Sequence, residues 1–77
     1  VWCNEPRVKA RLHDGEGGTY LWVANPTRRP LPVWLRLAPR WRNLAPVASL
    51  WGAEAEKAGD GLRLVAPARD VSVIALR

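Results

Sequence analysis

Residues 7–37 read RVKARL HDGEGG TYLWVAN PTRRP LPVWLRL. The first six alternate, with Val8, Ala10 and Leu12 to one side and Arg7, Lys9 and Arg11 to the other. That is the period of a strand with one wet face. Residues 13–18 then offer three glycines among turn formers, as a hairpin tip does. Residues 19–25 are apolar on both sides, Leu21 and Val23 against Tyr20, Trp22 and Ala24. They are expected to form a central strand covered on both faces, with Trp22 in the core. Pro26 and Pro30 bracket a second turn, because proline fixes φ and withholds the amide a ladder needs. Residues 31–37 alternate again, with Leu31, Val33, Leu35 and Leu37 inward and Trp34 and Arg36 outward.

Past residue 37 the signal is thinner. Residues 38–46, with two prolines and Trp41, read as a loop, and 47–51 as a short strand. Residues 52–61 hold the chain's helix formers (Ala53, Glu54, Ala55, Glu56, Lys57, Ala58) without an apolar period, so a wide hairpin loop is expected there. Residues 62–66 and 71–76 are expected to pair as a final hairpin across 67–70. Short strands separated by turn signals, with no helix, give an all-β chain. The expected fold is a small antiparallel β-sandwich of about six to seven strands, or a partly closed barrel.

Composition agrees with one small domain over residues 1–77. Of the 77 residues, 48% are apolar and 25% charged, which is globular usage and not that of a disordered chain. A chain this short hides only about 60–65% of its unfolded surface, so the core is modest. No apolar run reaches the roughly 18 residues of a membrane helix. With no leader segment and no cysteine pair in view, the cytoplasm is favoured. Methionine is absent, and the last strand-like run stops at Leu76, one residue before Arg77. The chain therefore reads as the C-terminal domain of a larger protein.

The net charge is +5, and ten of the twelve basic residues are arginine. Arg28, Arg29, Arg36, Arg40 and Arg42 fall within fifteen positions and form the one candidate basic patch. A solvated arginine-rich surface is the better account, because lysine runs and nucleic-acid motifs are both missing. Nucleic acid is accordingly disfavoured as a partner.

No catalytic constellation emerges. Asp14 and Glu16 share one tip, and Glu54, Glu56 and Asp60 another, whereas a carboxylate pair that hydrolyses sugars must be held rigidly across a cleft. Ser49, Ser72 and the single His13 lack a nucleophile context. Residues 15–18 join strand to strand and offer no helix N-terminus to a phosphate. One cysteine, Cys3, and one histidine make neither a disulfide nor a metal site, and no cofactor is implied. Cys3 is expected to be a packed small side chain.

Five tryptophans in 77 residues remain to be explained. Trp34 is out of phase with the aliphatic residues of its strand, and Trp2, Trp41 and Trp51 sit at ends or in loops. Exposed indoles bury against a neighbouring domain, stack on sugar rings or stack on bases. Docking is favoured over sugar stacking, with base stacking behind both. Alanine at Trp41 is expected to weaken a parent protein while sparing the fold of these residues.

The order of pieces resembles the small C-terminal β-sandwich domain of bacterial glycoside hydrolases, especially the β-galactosidases of family 42 and their relatives. Residues 19–27, TYLWVANPT, look like the strand and Asn-Pro-Thr turn of such domains, and residues 31–37 like the aliphatic strand that follows. Residues 50–54 (LWGAE), 61–64 (GLRL) and 70–76 (DVSVIAL) look like their closing hairpin and final strand. The family's catalytic glutamates lie in another domain and match no position here. The resemblance implies a non-catalytic accessory domain. Its partner would be the catalytic domain of the same chain or a neighbouring subunit, with carbohydrate as an alternative ligand of the exposed tryptophans.

Overall fold

A computed structural model describes all residues from Val1 to Arg77. Eight strands form two four-stranded antiparallel sheets. The strands are β1 (Trp2–Cys3), β2 (Lys9–Gly15), β3 (Gly18–Asn25), β4 (Leu31–Arg36), β5 (Pro46–Trp51), β6 (Glu56–Ala58), β7 (Gly61–Ala66) and β8 (Asp70–Leu76). The first sheet runs β1-β4-β7-β6 and the second β2-β3-β8-β5. A single 3-10 turn, Pro39–Trp41, is the only helical element. The architecture is a sandwich, not a barrel.

The alternation read in the sequence places the core. From the first sheet Val33, Leu35, Leu62, Leu64 and Ala66 point inward, and from the second Leu21, Val23, Ile74 and Leu76. Val8 and Leu37 close the two ends of this cluster, and Cys3 packs at its margin as a small half-buried side chain. At about 25 cal/mol per Å² of apolar surface removed from water, each buried Leu or Ile contributes roughly 1.5–3 kcal/mol.

Two polar side chains lie in this core, and both are satisfied. The Asn25 amide donates to the carbonyls of Arg29 (2.8 Å) and Ala66 (3.0 Å), while its oxygen accepts from the Thr27 amide (3.0 Å) and hydroxyl (2.7 Å). The Asn-Pro-Thr turn is thus a knot: it forms the link from β3 to β4 and pins that link to the end of β7. Ser72 Oγ accepts from the Ala53 amide (3.0 Å), fastening the crossover after β5. Gly52, at φ +76°, lies so close above it that a Cβ would stand 2.6 Å from Ser72 Oγ.

Several expectations are corrected. Residues 62–66 and 71–76 do not pair. β7 lies between β4 and β6, and β8 between β3 and β5, so the chain crosses from one sheet to the other at residues 67–69. Arg69, at φ +52°, makes the bend there. Residues 52–61 are not a hairpin loop either. They carry the chain from β5 to the other sheet, where β6 forms a tight hairpin with β7. β3 is central as expected, yet it is covered on one face only, and Trp22 is 49% exposed. β1 and β6 are too short to carry a period and go unread in the sequence.

Candidate functional site

Because successive side chains alternate, each sheet has an outer face set by its register. On the first sheet, Trp2 stands opposite Arg36, Trp34 opposite Arg63, and Glu56 opposite Arg63. The Arg36 guanidinium lies 5.7 Å from the Trp2 ring and 5.3 Å from the Trp34 ring, and the two rings meet edge to face at 6.0 Å. The Trp34 indole N–H donates to the Ala58 carbonyl at 3.1 Å, reaching across the sheet. Arg63 and Glu56 form an ion pair beside it. Beside it β4 and β7 approach so closely that a Cβ at Gly61 would fall 1.8 Å from the Leu35 carbonyl oxygen. Arginines thus cover both indoles of this outer face, although Trp2 and Val65 remain more than half exposed.

The second sheet differs. One cross-strand row reads Arg11, Trp22, Val73, Trp51 over β2, β3, β8 and β5. The next reads His13, Tyr20, Ala75, Ala48, and the one before it Lys9, Ala24, Val71. No cation stacks on Trp22 or Trp51, which are 49% and 64% exposed, and Trp51 keeps only a long bond, 3.4 Å, to Asp70. The result is a bare apolar field on β3, β8 and β5, with the cations Lys9 and Arg11 along the β2 margin.

The four candidate tryptophans therefore separate. Trp2 and Trp34 belong to the clad face, Trp51 to the bare face. Trp41, in the 3-10 turn, is half-buried against the core with Arg40 stacked on it at 4.5 Å. Alanine there removes packing from these residues themselves, contrary to the expectation that their fold would be spared. Trp22 was placed in the core by its apolar neighbours and belongs instead with Trp51. The sequence carried a signal for this: Trp22 alternates with Leu21 and Val23, so if they face inward it cannot.

The five arginines close in sequence are not one patch in space. Arg28 and Arg29 lie in the turn before β4, where Arg28 approaches Arg69. Arg36, Arg40 and Arg42 lie at the other end, and a six-residue strand of about 20 Å separates the groups. Arg36 and Arg40 already cover indoles, and Arg42 Nε donates to the Leu37 carbonyl at 3.4 Å.

The acidic residues stay on the surface, and no group of three or more His, Cys, Asp or Glu side chains converges as metal ligands would. One carboxylate has a strong partner. Glu5 accepts from Arg7 Nε (2.8 Å), Nη2 (3.0 Å) and backbone amide (3.1 Å), and these bonds hold its pKa down at about 2. Arg7 is correspondingly pushed up. The pair lies in the link between β1 and β2, so it braces a passage between the two sheets.

Comparison with protein-family models, with curated proteins and with solved structures finds no match for this chain.

Proposed function

We propose that this chain is a non-catalytic accessory β-sandwich of a larger enzyme, docking on that enzyme's catalytic part through the bare face of the second sheet. The observation that carries the reading is the row Trp22, Val73, Trp51 with no cladding of its own, on a domain whose other tryptophans are all engaged. Exposed aromatic surface next to a basic margin is the anatomy of an interface core and rim. A glycoside hydrolase of β-galactosidase type is the proposed parent, on the strength of the residues 19–27, 31–37 and 50–76 quoted above. Its docking partner is the catalytic domain of the same polypeptide or of a neighbouring subunit.

The test is Trp51→Lys, made both in the 77-residue chain and in the native polypeptide that carries it. The short chain should keep its melting temperature within about 2 °C, because Trp51 is an edge residue exposed to water. The native polypeptide should lose about 5 °C or more and hydrolyse an aryl β-galactoside before substitution. A native product of 8.6 kDa, or a parent indifferent to the substitution, rules out docking. A parent that docks but leaves the galactoside intact rules out only the enzyme class.

A second reading rests on spacing. Trp22 and Trp51 flank Val73 two strands apart, about 9.5 Å. Two indoles at that distance on a flat sheet can carry a short oligosaccharide, as in a carbohydrate-binding module. Titration with millimolar galacto- or cello-oligosaccharides should then change tryptophan fluorescence, and Trp22→Ala should abolish the change. Unchanged fluorescence leaves docking alone.

A further inference from the structure

The four edges of the two sheets are not alike. β1 has two residues and β6 three, and β5 is broken by two register shifts, between Pro46 and Ala48 and between Ser49 and Trp51. Short strands and bulges are the ordinary means of keeping an edge from pairing with another chain. β2 is different. It has seven residues in unbroken register with β3 and nothing paired on its other side.

The register says which groups this edge presents. Gly15 and Gly18 close a two-residue turn, so bonded and non-bonded pairs alternate down the hairpin. Ala10, Leu12 and Asp14 fall at the non-bonded positions, and their N–H and C=O groups point away from β3. No backbone group elsewhere in the chain bonds to them. Three such residues in succession offer up to six hydrogen bonds to an incoming strand.

A cleft runs beside them. It has a volume of about 560 Å³ and lies between β2 and residues 37–41. Its apolar lining comes from Ala10, Leu12, Leu37 and Trp41, and its polar rim from Arg11, His13, Asp14 and Arg40. Ala10 and Leu12 are half-buried and pack on the core from this open side. A strand laid along β2 would place alternate side chains into this apolar space and the others outward, beside Lys9 and Arg11.

We propose that the β2 edge with this cleft is a strand-addition site for an extended segment alternating apolar and acidic residues. Charge complementarity selects that occupant. A second copy of the chain, paired antiparallel through its own β2, would set Lys9 and Arg11 of one copy among the same cations of the other, and like charges directly opposite destabilise a sheet pair. An acidic strand converts the same side chains into cross-strand ion pairs. The Asp14 carboxylate, which accepts from the Thr19 hydroxyl at 2.7 Å, lies at the last of the three ladder positions, on the cleft side that meets the segment's apolar residues and not its acids. The proposal does not rest on the docking face or on the enzyme class of the parent.

The test uses the 77-residue chain with a capped peptide of alternating Glu and Val, its Lys–Val counterpart, and a Glu–Val peptide interrupted by Pro. Hydrogen exchange resolved by residue is the readout. The Glu–Val peptide should slow exchange at the Ala10, Leu12 and Asp14 amides about tenfold or more and shift the Trp41 indole signal, leaving the β5 edge unchanged. The Pro-interrupted peptide should do neither, since it withholds a donor from the ladder. Arg11→Glu, a surface change the fold tolerates, should transfer the preference to the Lys–Val peptide. Unaltered exchange at those three amides in millimolar Glu–Val peptide overturns the proposal. Equal protection by both charged peptides, or protection at β5 instead, overturns it as well.

Discussion

The two outer faces of the sandwich carry tryptophans in equal number and use them differently. On the first sheet Trp2 and Trp34 lie around one guanidinium, and the Trp34 N–H is bonded within the sheet. On the second, Trp22 and Trp51 flank Val73 with their ring faces toward water. The cross-strand neighbours make the difference. Arg36 and Arg63 alternate with the indoles of the first face, whereas Val71, Val73 and Ala75 fill the centre of the second. An indole is clad when a cation of its own sheet stacks on it; Arg11 stands opposite Trp22 in register, yet no cation stacks on Trp22 or Trp51.

The contrast makes graded predictions. The largest effect should come from Gly61→Ala, because the new Cβ would overlap the Leu35 carbonyl and force β4 and β7 apart. The loss should exceed about 4 kcal/mol, which is most of a small domain's stability, and circular dichroism should show no cooperative melt. A normal melt would mean that the clad face is not built on that close approach. Next is Trp34→Ala, which removes a half-buried ring, its hydrogen bond and the support of Trp2 and Arg36 together. Urea titration should show a loss of about 2–3 kcal/mol.

Trp41→Ala should fall in the same range, since the ring caps the core beside Arg40. Trp22→Ala, on the bare face, should cost about 1 kcal/mol or less in the same titration, despite deleting as many atoms. Equal losses at Trp22 and Trp34 would erase the distinction between the faces. The smallest effect concerns pH. Glu5 holds a folded pKa of about 2, below its unfolded value of 4.5, so its bonds to Arg7 contribute fully above the unfolded value. That contribution declines as the pH falls from there towards 2. The melting temperature of Glu5→Gln should therefore converge with that of the parent chain in acid and lie below it at neutral pH. A constant gap across this range would mean that the pair does not couple to folding.

Much of this was legible before the structure. The alternation in residues 7–12 and 31–37 named the inward residues correctly, since a period of two leaves no other assignment once one face is buried, whereas 19–25, apolar on both sides, hid which face was covered and put Trp22 in the core. The turns at 13–18 and 25–30 were equally plain, although the strands run further into the first and leave only residues 16 and 17 outside them. The pairing of the last two strands was not, because a three-residue link can return a chain beside itself or carry it across a core, and both leave the same alternation. Only the opposed sets Leu62, Leu64, Ala66 and Ser72, Ile74, Leu76 decide it, each facing the other from its own sheet. For the candidate site, counting tryptophans could not separate the two outer faces. Cladding is a cross-strand property, and Trp34 meets Ala58 over a separation of 24 residues. The arginine cluster misled for the opposite reason: residues near in sequence are placed at the two ends of one extended strand.

The order of the second sheet also sets a timetable. β8, the last strand, is inserted between β3 and β5, both of which are made before it. Until residues 70–76 are free to pair, β3 has hydrogen-bonding groups on one side with no companion, and β5 has no companion at all. Val71, Val73 and Ile74 then complete two ladders in a single event, so the second sheet stays open until residues 70–76 take their place. A nascent chain halted before residue 70 would hold the Leu21 and Val23 side of β3 open to the cell. The sticky interval is therefore long and its end abrupt, and a shortened product is a client for chaperones, not a smaller version of the domain.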